Sequence, residues 1–292
     1  VGEVEASERS VVATRRWLRA VGFLVVAAFV VAVGRGLEWG VPSARRARYE
    51  GASARARTLD EGVLKQSWEH WNTRGRRSEL GRKFQRHLFN PLRSYHPDEY
   101  QVFKSLSHMS PKRLSLDPGS YIYPSLHTYL VGAALGAGSL VGGVHLERDL
   151  NHYFDHPDDM GRMYVVGRAV SLLAAVGMLL LTWRQGESMG RGVGLAAMAM
   201  LVVMPALCVH SHNLTRDTCA ALATVVCFAA CRRLAETGDA KWYDVAGGAV
   251  ALCVAFQYFA IVLWGMVAVA AFLRWRREGD RVRTVLTGLA VS

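Results

Sequence analysis

Several things are missing from this chain. It has only 5 cysteines in 292 residues. Cys208, Cys219, Cys227, Cys231 and Cys253 all fall in apolar blocks. They read as small buried hydrophobes, not as a disulfide framework or a metal site. No internal repeat is evident, so a solenoid or propeller is not expected. The basic runs carry no nucleic-acid-binding motif, and no nucleic-acid partner is expected. Acids are outnumbered, 24 against 35 Lys and Arg, for a net charge of +11. The first apolar run has Arg15, Arg16 and Arg19 before it, like a signal peptide, but Gly34-Arg35-Gly36 after it is not a small-residue cleavage site of the usual kind. An uncleaved first span is expected.

What the chain does have is long apolar runs. Hydrophobic residues make up 51% of it and gather in six blocks: Ala20–Gly34, Tyr121–Val144, Tyr164–Trp183, Val193–Val209, Thr218–Cys231 and Tyr243–Leu273. A run of about 20 apolar residues matches about 30 Å of hydrocarbon. The expected fold is therefore all-α, a polytopic transmembrane helical bundle with a large extracytoplasmic first loop carrying amphipathic helices. Residues 1–16 read as a cytoplasmic tail and 17–36 as the first transmembrane helix. Residues 37–120 form the loop, and 121–292 the remaining transmembrane region. Val282–Ser292 opens a further apolar block, so the chain is expected to be incomplete at its C-terminus.

Charge sets the orientation. Arg9, Arg15, Arg16 and Arg19 put the start in the cytoplasm. The loops marked by Arg184 and Arg191, by Arg232, Arg233 and Lys241, and by Arg274, Arg276, Arg277, Arg281 and Arg283 read as cytoplasmic too. Residues 37–120 hold 16 Lys and Arg against 9 Asp and Glu, but loops longer than about 60 residues cross regardless of charge. Within that loop, Ala44–Arg57 and Asp60–Asn72 look helical. Their charge reads as a solvated face or as attraction to lipid phosphates. On this orientation, Tyr121–Val144 must enter and leave on one face or lie partly in the interface. Tyr243–Leu273 is too long for one upright span, has Gln257 near its middle, and reads as two short helices.

The loop's most distinctive run is His96-Pro97-Asp98-Glu99. Pro97 suits the first turn of a helix, and Asp98 and Glu99 then meet its unpaired N–H groups. Val102, Phe103, Leu106 and Met109 share one face at helical spacing. A second acid, Asp217, stands in His210-Ser211-His212-Asn213-Leu214-Thr215-Arg216-Asp217, on the same side by the charge argument. Acids near His96, His210 and His212 are a donor set for a divalent cation. Their bland reading is a helix cap and interfacial histidines. Asn213-Leu214-Thr215 fits the glycosylation pattern, which is frequent by chance. Arg168 either snorkels, the commoner outcome, or meets an anionic group. His152 and His156 have i, i+4 spacing, yet with Pro157 beside them metal binding is not favoured.

In order, the chain offers a first span, a large loop with an Asp-Glu pair, and Tyr123-Pro124-Ser125-Leu126 entering a glycine-rich segment. Gly167-Arg168-Ala169-Val170-Ser171 then opens a span, and a span carrying Pro205 ends at His210-Ser211-His212, before Arg216-Asp217. This order resembles the GT-C class of membrane glycosyltransferases, which contains the protein O-mannosyltransferases and the aminoarabinose transferases of lipid A. The resemblance covers most of residues 17–275. It implies a sugar donor on a polyprenyl phosphate and a lipid, glycan or protein acceptor. It also implies an active site on the extracytoplasmic face of a bacterial plasma membrane, with membrane lipids around the chain.

Carried over residue by residue, Asp98, with Glu99, is the candidate catalytic pair. Asp98 would act as base on the acceptor hydroxyl or position it. Arg93, Lys104, Tyr123 and Arg216 are candidates for the donor phosphate. His96, His212 and Asp217 are candidates for positioning the acceptor or a metal. A divalent ion, as the only cofactor, would draw on His96, Asp98 and Asp217. Two departures stand out: about 60 residues separate the first span from Asp98, and Ile122-Tyr123-Pro124-Ser125 replaces the Glu-Lys-Pro-Pro run of the aminoarabinose subgroup. The main alternative is a transporter or flippase for lipid-linked or anionic solutes using Arg168 and Asp217 as intramembrane charges. A non-catalytic scaffold with a partner-binding loop is a third reading.

Overall fold

The computed structural model describes residues 2–50, 92–110, 113–147 and 150–278. The expected helix Asp60–Asn72, the far end of Ala44–Arg57 and the block Val282–Ser292 lie outside them. Among the described residues there are eleven α-helices, one 3-10 helix and no sheet. These helices divide between two compact units, one of residues 1–36, 120–127 and 170–292, the other of 37–119 and 128–169.

The first unit holds most of the apolar helices. Helix α1, Gly2–Gly34, runs unbroken through what reads in the sequence as a separate tail; its apolar window is Arg16–Gly34. Nothing between Gly2 and Arg16 breaks a helix, because neither proline nor glycine intervenes. Helix α6, Pro157–Glu187, begins in the second unit and contributes its residues from Val170 onward here. Helices α7, Val193–Val202, and α8, Pro205–Ser211, meet at a 67° bend. Pro205 at the first position of α8 explains the break, since it cannot donate a hydrogen bond back into α7. Helix α9 is Asp217–Thr237 and α10 is Lys241–Phe256. The 3-10 helix Tyr258–Leu263 leads into α11, Trp264–Glu278.

The block Tyr243–Leu273 does resolve into two pieces. Gln257 between them has extended backbone, φ −148° and ψ 118°. Cys227, Ala230 and Leu234 of α9 pack on Tyr243, Ala246 and Val250 of α10 and on Val267, Ala270 and Ala271 of α11. Such small residues let helices approach closely and gain dispersion energy where lipid offers no hydrophobic drive. Four of the five free cysteines are buried, which fits their reading as small apolar fillers. The end of α6 and the start of α7 also approach closely. A Cβ on Gly194 would collide with the Trp183 carbonyl, and one on Gly186 with the Gly194 backbone.

The second unit holds short helices: α2, Ala44–Glu50; α3, Glu99–His108; α5, Leu150–Asp155; and the start of α6. Helix α4, Leu126–Leu140, has two residues in the first unit and the rest here. Its 15 residues span about 22 Å, short of the hydrocarbon thickness. That agrees with a segment that does not cross as one upright helix. Where α2 starts, the Asp158 carboxylate accepts the Ala44 N–H at 3.1 Å, as a capping acid does. Helix α3 begins two residues later than expected, so Asp98 is its N-cap and not a first-turn residue. Of its expected apolar face only Phe103 is buried, against Tyr164 at 4.5 Å between ring centroids. Glu99 and Tyr100 are its other buried side chains.

Candidate functional site

In the second unit the HPDE run is built around a buried charge pair. The Arg168 Nε donates to Glu99 Oε1 at 2.8 Å and its Nη2 to Oε2 at 2.7 Å. Both side chains are 0% exposed. Arg168 Nη1 donates to the carbonyls of Leu37 and Trp39, at 2.7 and 2.8 Å. Ser94 Oγ donates to Glu99 Oε2. Every nitrogen of the guanidinium thus has an oxygen partner, as a buried charge requires. The sequence-based preference for a snorkelling Arg168 is corrected: it meets an anion instead. Glu99 is corrected too. A carboxylate whose two oxygens are both held in a dry ion pair is not placed to accept a substrate proton.

Asp98, one residue earlier, is the opposite case. Its side chain is exposed, makes no capping hydrogen bond, and has no ion-pair or hydrogen-bond partner among the described residues. Its backbone N–H donates to His96 Nδ1 at 3.3 Å, and Ser94 Oγ also donates to the His96 carbonyl. The chain beneath is stapled twice more. Tyr95 N–H donates to the Gly40 carbonyl at 3.0 Å. Arg46 donates to the carbonyls of Gly40 and Arg93, and its guanidinium lies 4.7 Å from the Tyr95 ring centroid. Gly40 has φ +66°, a conformation that suits glycine, and a Cβ there would strike the Tyr95 ring. Arg93 stacks over Tyr100 at 4.3 Å. The Lys104 carbonyl accepts Ser107 Oγ.

The first unit carries its own polar group at the start of α9. Asp217 Oδ2 lies 3.2 Å from His210 Nδ1, and Asp217 Oδ1 accepts from Gln257 Nε2. Thr215 links α6 to this turn, since Ser171 Oγ donates to the Thr215 carbonyl at 2.9 Å. His212 points elsewhere, with Nδ1 on the Cys208 carbonyl at 2.7 Å. Asn213 is buried and its Nδ2 donates to the Val209 carbonyl, so the sequon is not an accessible modification site. The Arg216 guanidinium carbon sits over the Tyr123 ring, 3.2 Å from its centroid.

Sequence reasoning missed His127. It is the second residue of α4, 4% exposed, and its Nε2 has no partner among the described residues. Burial, then the positive charge of Arg216, pushes its pKa down to about 4, against a smaller opposing pull from Asp217. The imidazole is therefore neutral near pH 7. Its one visible signal in the sequence is its place just after Pro124-Ser125, at the mouth of an apolar run. Asn213 Oδ1, Arg216 Nε and Thr218 Oγ1 are likewise buried without a partner.

Among the described residues no three His, Cys, Asp or Glu side chains are gathered to hold a metal ion. The rings of His145 and His156 each lie 4.7 Å from that of His152, which pairs with Asp159 at 2.9 Å.

Four helices are long and apolar enough to cross a membrane, or five if the bent α7–α8 pair is one span. The chain is a multi-pass α-helical membrane protein. Comparison with protein-family models, curated proteins and solved structures finds no match.

Proposed function

We propose that this chain is a membrane glycosyltransferase of the GT-C class. It moves a sugar from a polyprenyl-phosphate donor to an acceptor hydroxyl at the extracytoplasmic face. One observation carries most of this reading. The Asp98 side chain is exposed and has no partner among the described residues, while Glu99 beside it is locked to Arg168. A general base needs a fixed position and a free, ionised oxygen. The Glu99–Arg168 pair supplies the first, and the exposure of the Asp98 side chain leaves its oxygens accessible. Asp98 takes the acceptor proton, the acceptor oxygen bonds to the anomeric carbon, and the electron pair of the broken C–O bond leaves with the lipid phosphate. No step is assigned to a metal.

The same ion pair weighs against a carrier of anionic solutes. That reading needs Arg168 as a free intramembrane charge, and its charge is neutralised at 2.7 Å.

The test is an Asp98→Asn variant in membranes supplied with a polyprenyl-phosphate sugar. Transfer should fall by about 10²- to 10⁴-fold with expression intact. Unchanged transfer would remove Asp98 from the reaction, and lipid-linked sugar movement without transfer would favour the carrier.

A further inference from the structure

Trp39 and Tyr95 form an aromatic pair on the second unit. Their ring centroids lie 5.3 Å apart at an interplanar angle of 74°, edge to face. Pairs of this kind usually fill cores or interfaces. This one is open: Trp39 is 60% exposed and Tyr95 38%. It is also braced. The Trp39 carbonyl accepts from Arg168, and the Tyr95 N–H donates to the Gly40 carbonyl. The missing side chain of Gly40 leaves room for the Tyr95 ring. Arg46 donates to the carbonyls of Gly40 and Arg93, which flank the pair in sequence. An aromatic surface fixed in advance loses little freedom when something rests on it.

The polar groups around the pair narrow the occupant. Asp98 stands three residues beyond Tyr95, no more than about 10 Å along the chain. Its side chain is exposed and has no partner among the described residues. The Arg46 guanidinium sits 4.7 Å from the Tyr95 centroid. A cationic ligand would meet Arg46, which already occupies that ring, and an anionic one would meet Asp98. A hydrocarbon chain lying there would strip water from Asp98 and give nothing back. What fits is an uncharged ring with an apolar face and hydroxyls at its rim. A pyranose is such a ring. Its C–H groups lie on an aromatic surface while its hydroxyls reach outward. A serine-bearing peptide offers the hydroxyl without the flat face.

We propose that Trp39 and Tyr95 are a stacking platform for a neutral pyranose of the acceptor, with Trp39 as the main contact. The acceptor is then a glycan, not a polypeptide. The assignment rests on the reading of Asp98 as the base of a sugar transfer and adds the acceptor's class to it. The platform holds the ring, and Asp98, on the same turn, is within reach of a hydroxyl at its rim.

The test is saturation-transfer NMR on the full chain in lipid nanodiscs at pH 7. The probes are cellobiose, methyl β-galactoside, mannitol, tetramethylammonium and acetyl-serine amide. At least one of the two sugars should bind, with a Kd on the order of 1 mM. Mannitol has the hydroxyls but no ring face and should bind at least about tenfold more weakly. Trp39→Ala should weaken sugar binding at least about fivefold, and Trp39→Phe much less, because a ring is kept. Both variants should melt as the natural chain does, since Trp39 is exposed. With the bound sugar as acceptor and a polyprenyl-phosphate donor, Trp39→Ala should raise KM and leave kcat unchanged, as loss of uniform binding does. Binding of neither sugar, or equal binding of mannitol, overturns the platform and leaves Asp98 its role. Unchanged sugar binding in Trp39→Ala does the same, and a lowered melting temperature beside it makes Trp39 a membrane anchor. Tighter binding of tetramethylammonium overturns the neutral ligand, and tighter binding of acetyl-serine amide overturns the glycan acceptor. A fall in kcat at unchanged KM overturns the acceptor role. Sugar binding as described, with no transfer by the natural chain, sinks the reaction and keeps the platform.

Discussion

Arg168 and Glu99, 69 residues apart in the chain, meet edge to edge with two parallel hydrogen bonds of 2.8 and 2.7 Å. The pair also ties the Leu37 and Trp39 carbonyls to the start of α3. It thus fixes where the N-terminal end of the loop runs and how Asp98 is presented.

The first prediction concerns that pair. Arg168→Lys keeps the charge but cannot reproduce a planar fork with four oxygen contacts. Arg168→Met removes the counter-ion of Glu99 in a dry site. Losing one partner of a buried pair costs about 3–5 kcal/mol, whereas replacing both by apolar groups is often close to neutral. Arg168→Met should therefore lower thermal stability and yield in detergent, and the double variant Arg168→Met with Glu99→Leu should recover much of the loss. Equal damage in single and double variants would mean that the pair acts on more than folding. Asp98→Asn should leave stability within about 0.5 kcal/mol, as surface substitutions usually do.

Much of the fold is readable from composition and spacing, and the limits have physical causes. The apolar blocks announce the spans because lipid imposes a length. Gln257 announces a break because a polar residue mid-block needs a partner, and Asp217 is that partner. The loop acids are visible as a pair, but not their opposite fates. Burial of Glu99 depends on a residue 69 positions away, and periodicity carries no long-range contact. Arg168 stands between two readings for the same reason. In the sequence, His210 and His212 look equivalent beside Asp217. The turn after α8 sends only His210 to the carboxylate, while His212 bonds back to Cys208 four residues earlier. His127 draws no attention because a lone histidine at the start of an apolar run is ordinary until its nitrogen is seen to lack a partner.

The second prediction follows from His127. Its folded-state pKa is lowered from 6.5 to about 4, first by burial and then by Arg216. Above pH 6.5 both folded and unfolded chains carry it neutral, so it adds no pH dependence. As pH falls from about 6.5 toward 4, the unfolded chain takes the proton first and stability drops. The full loss is up to about 3 kcal/mol, because each tenfold change in proton affinity is worth about 1.4 kcal/mol. Melting temperatures from pH 7.5 to 4.5 should therefore fall more steeply for the natural chain than for His127→Gln. Parallel slopes would show that the imidazole is not buried in the folded protein.

The third prediction tests how Asp217 is held. Gln257 is 8% exposed, sits where α10 ends, and gives its amide to Asp217 Oδ1. Its backbone is already extended, so the break in the helix pair does not require the side chain. Gln257→Leu should keep the break but leave Asp217 with His210 alone. A half-satisfied carboxylate near the membrane costs about 1–3 kcal/mol. The same change frees the Asp217 carboxylate to turn toward Arg216, the adjacent residue. If it does, Arg216, a candidate for the donor phosphate, becomes paired, and affinity for a polyprenyl-phosphate sugar should weaken in Gln257→Leu although no ligand contact was removed. Gln257→Glu is the sharper variant, because it sets a second acid against Asp217 and should be less stable than Gln257→Leu at pH 8 but closer to it at pH 5. A Gln257→Leu protein with unaltered melting temperature and unaltered affinity would show that Asp217 is oriented by His210 without help from the α10 end.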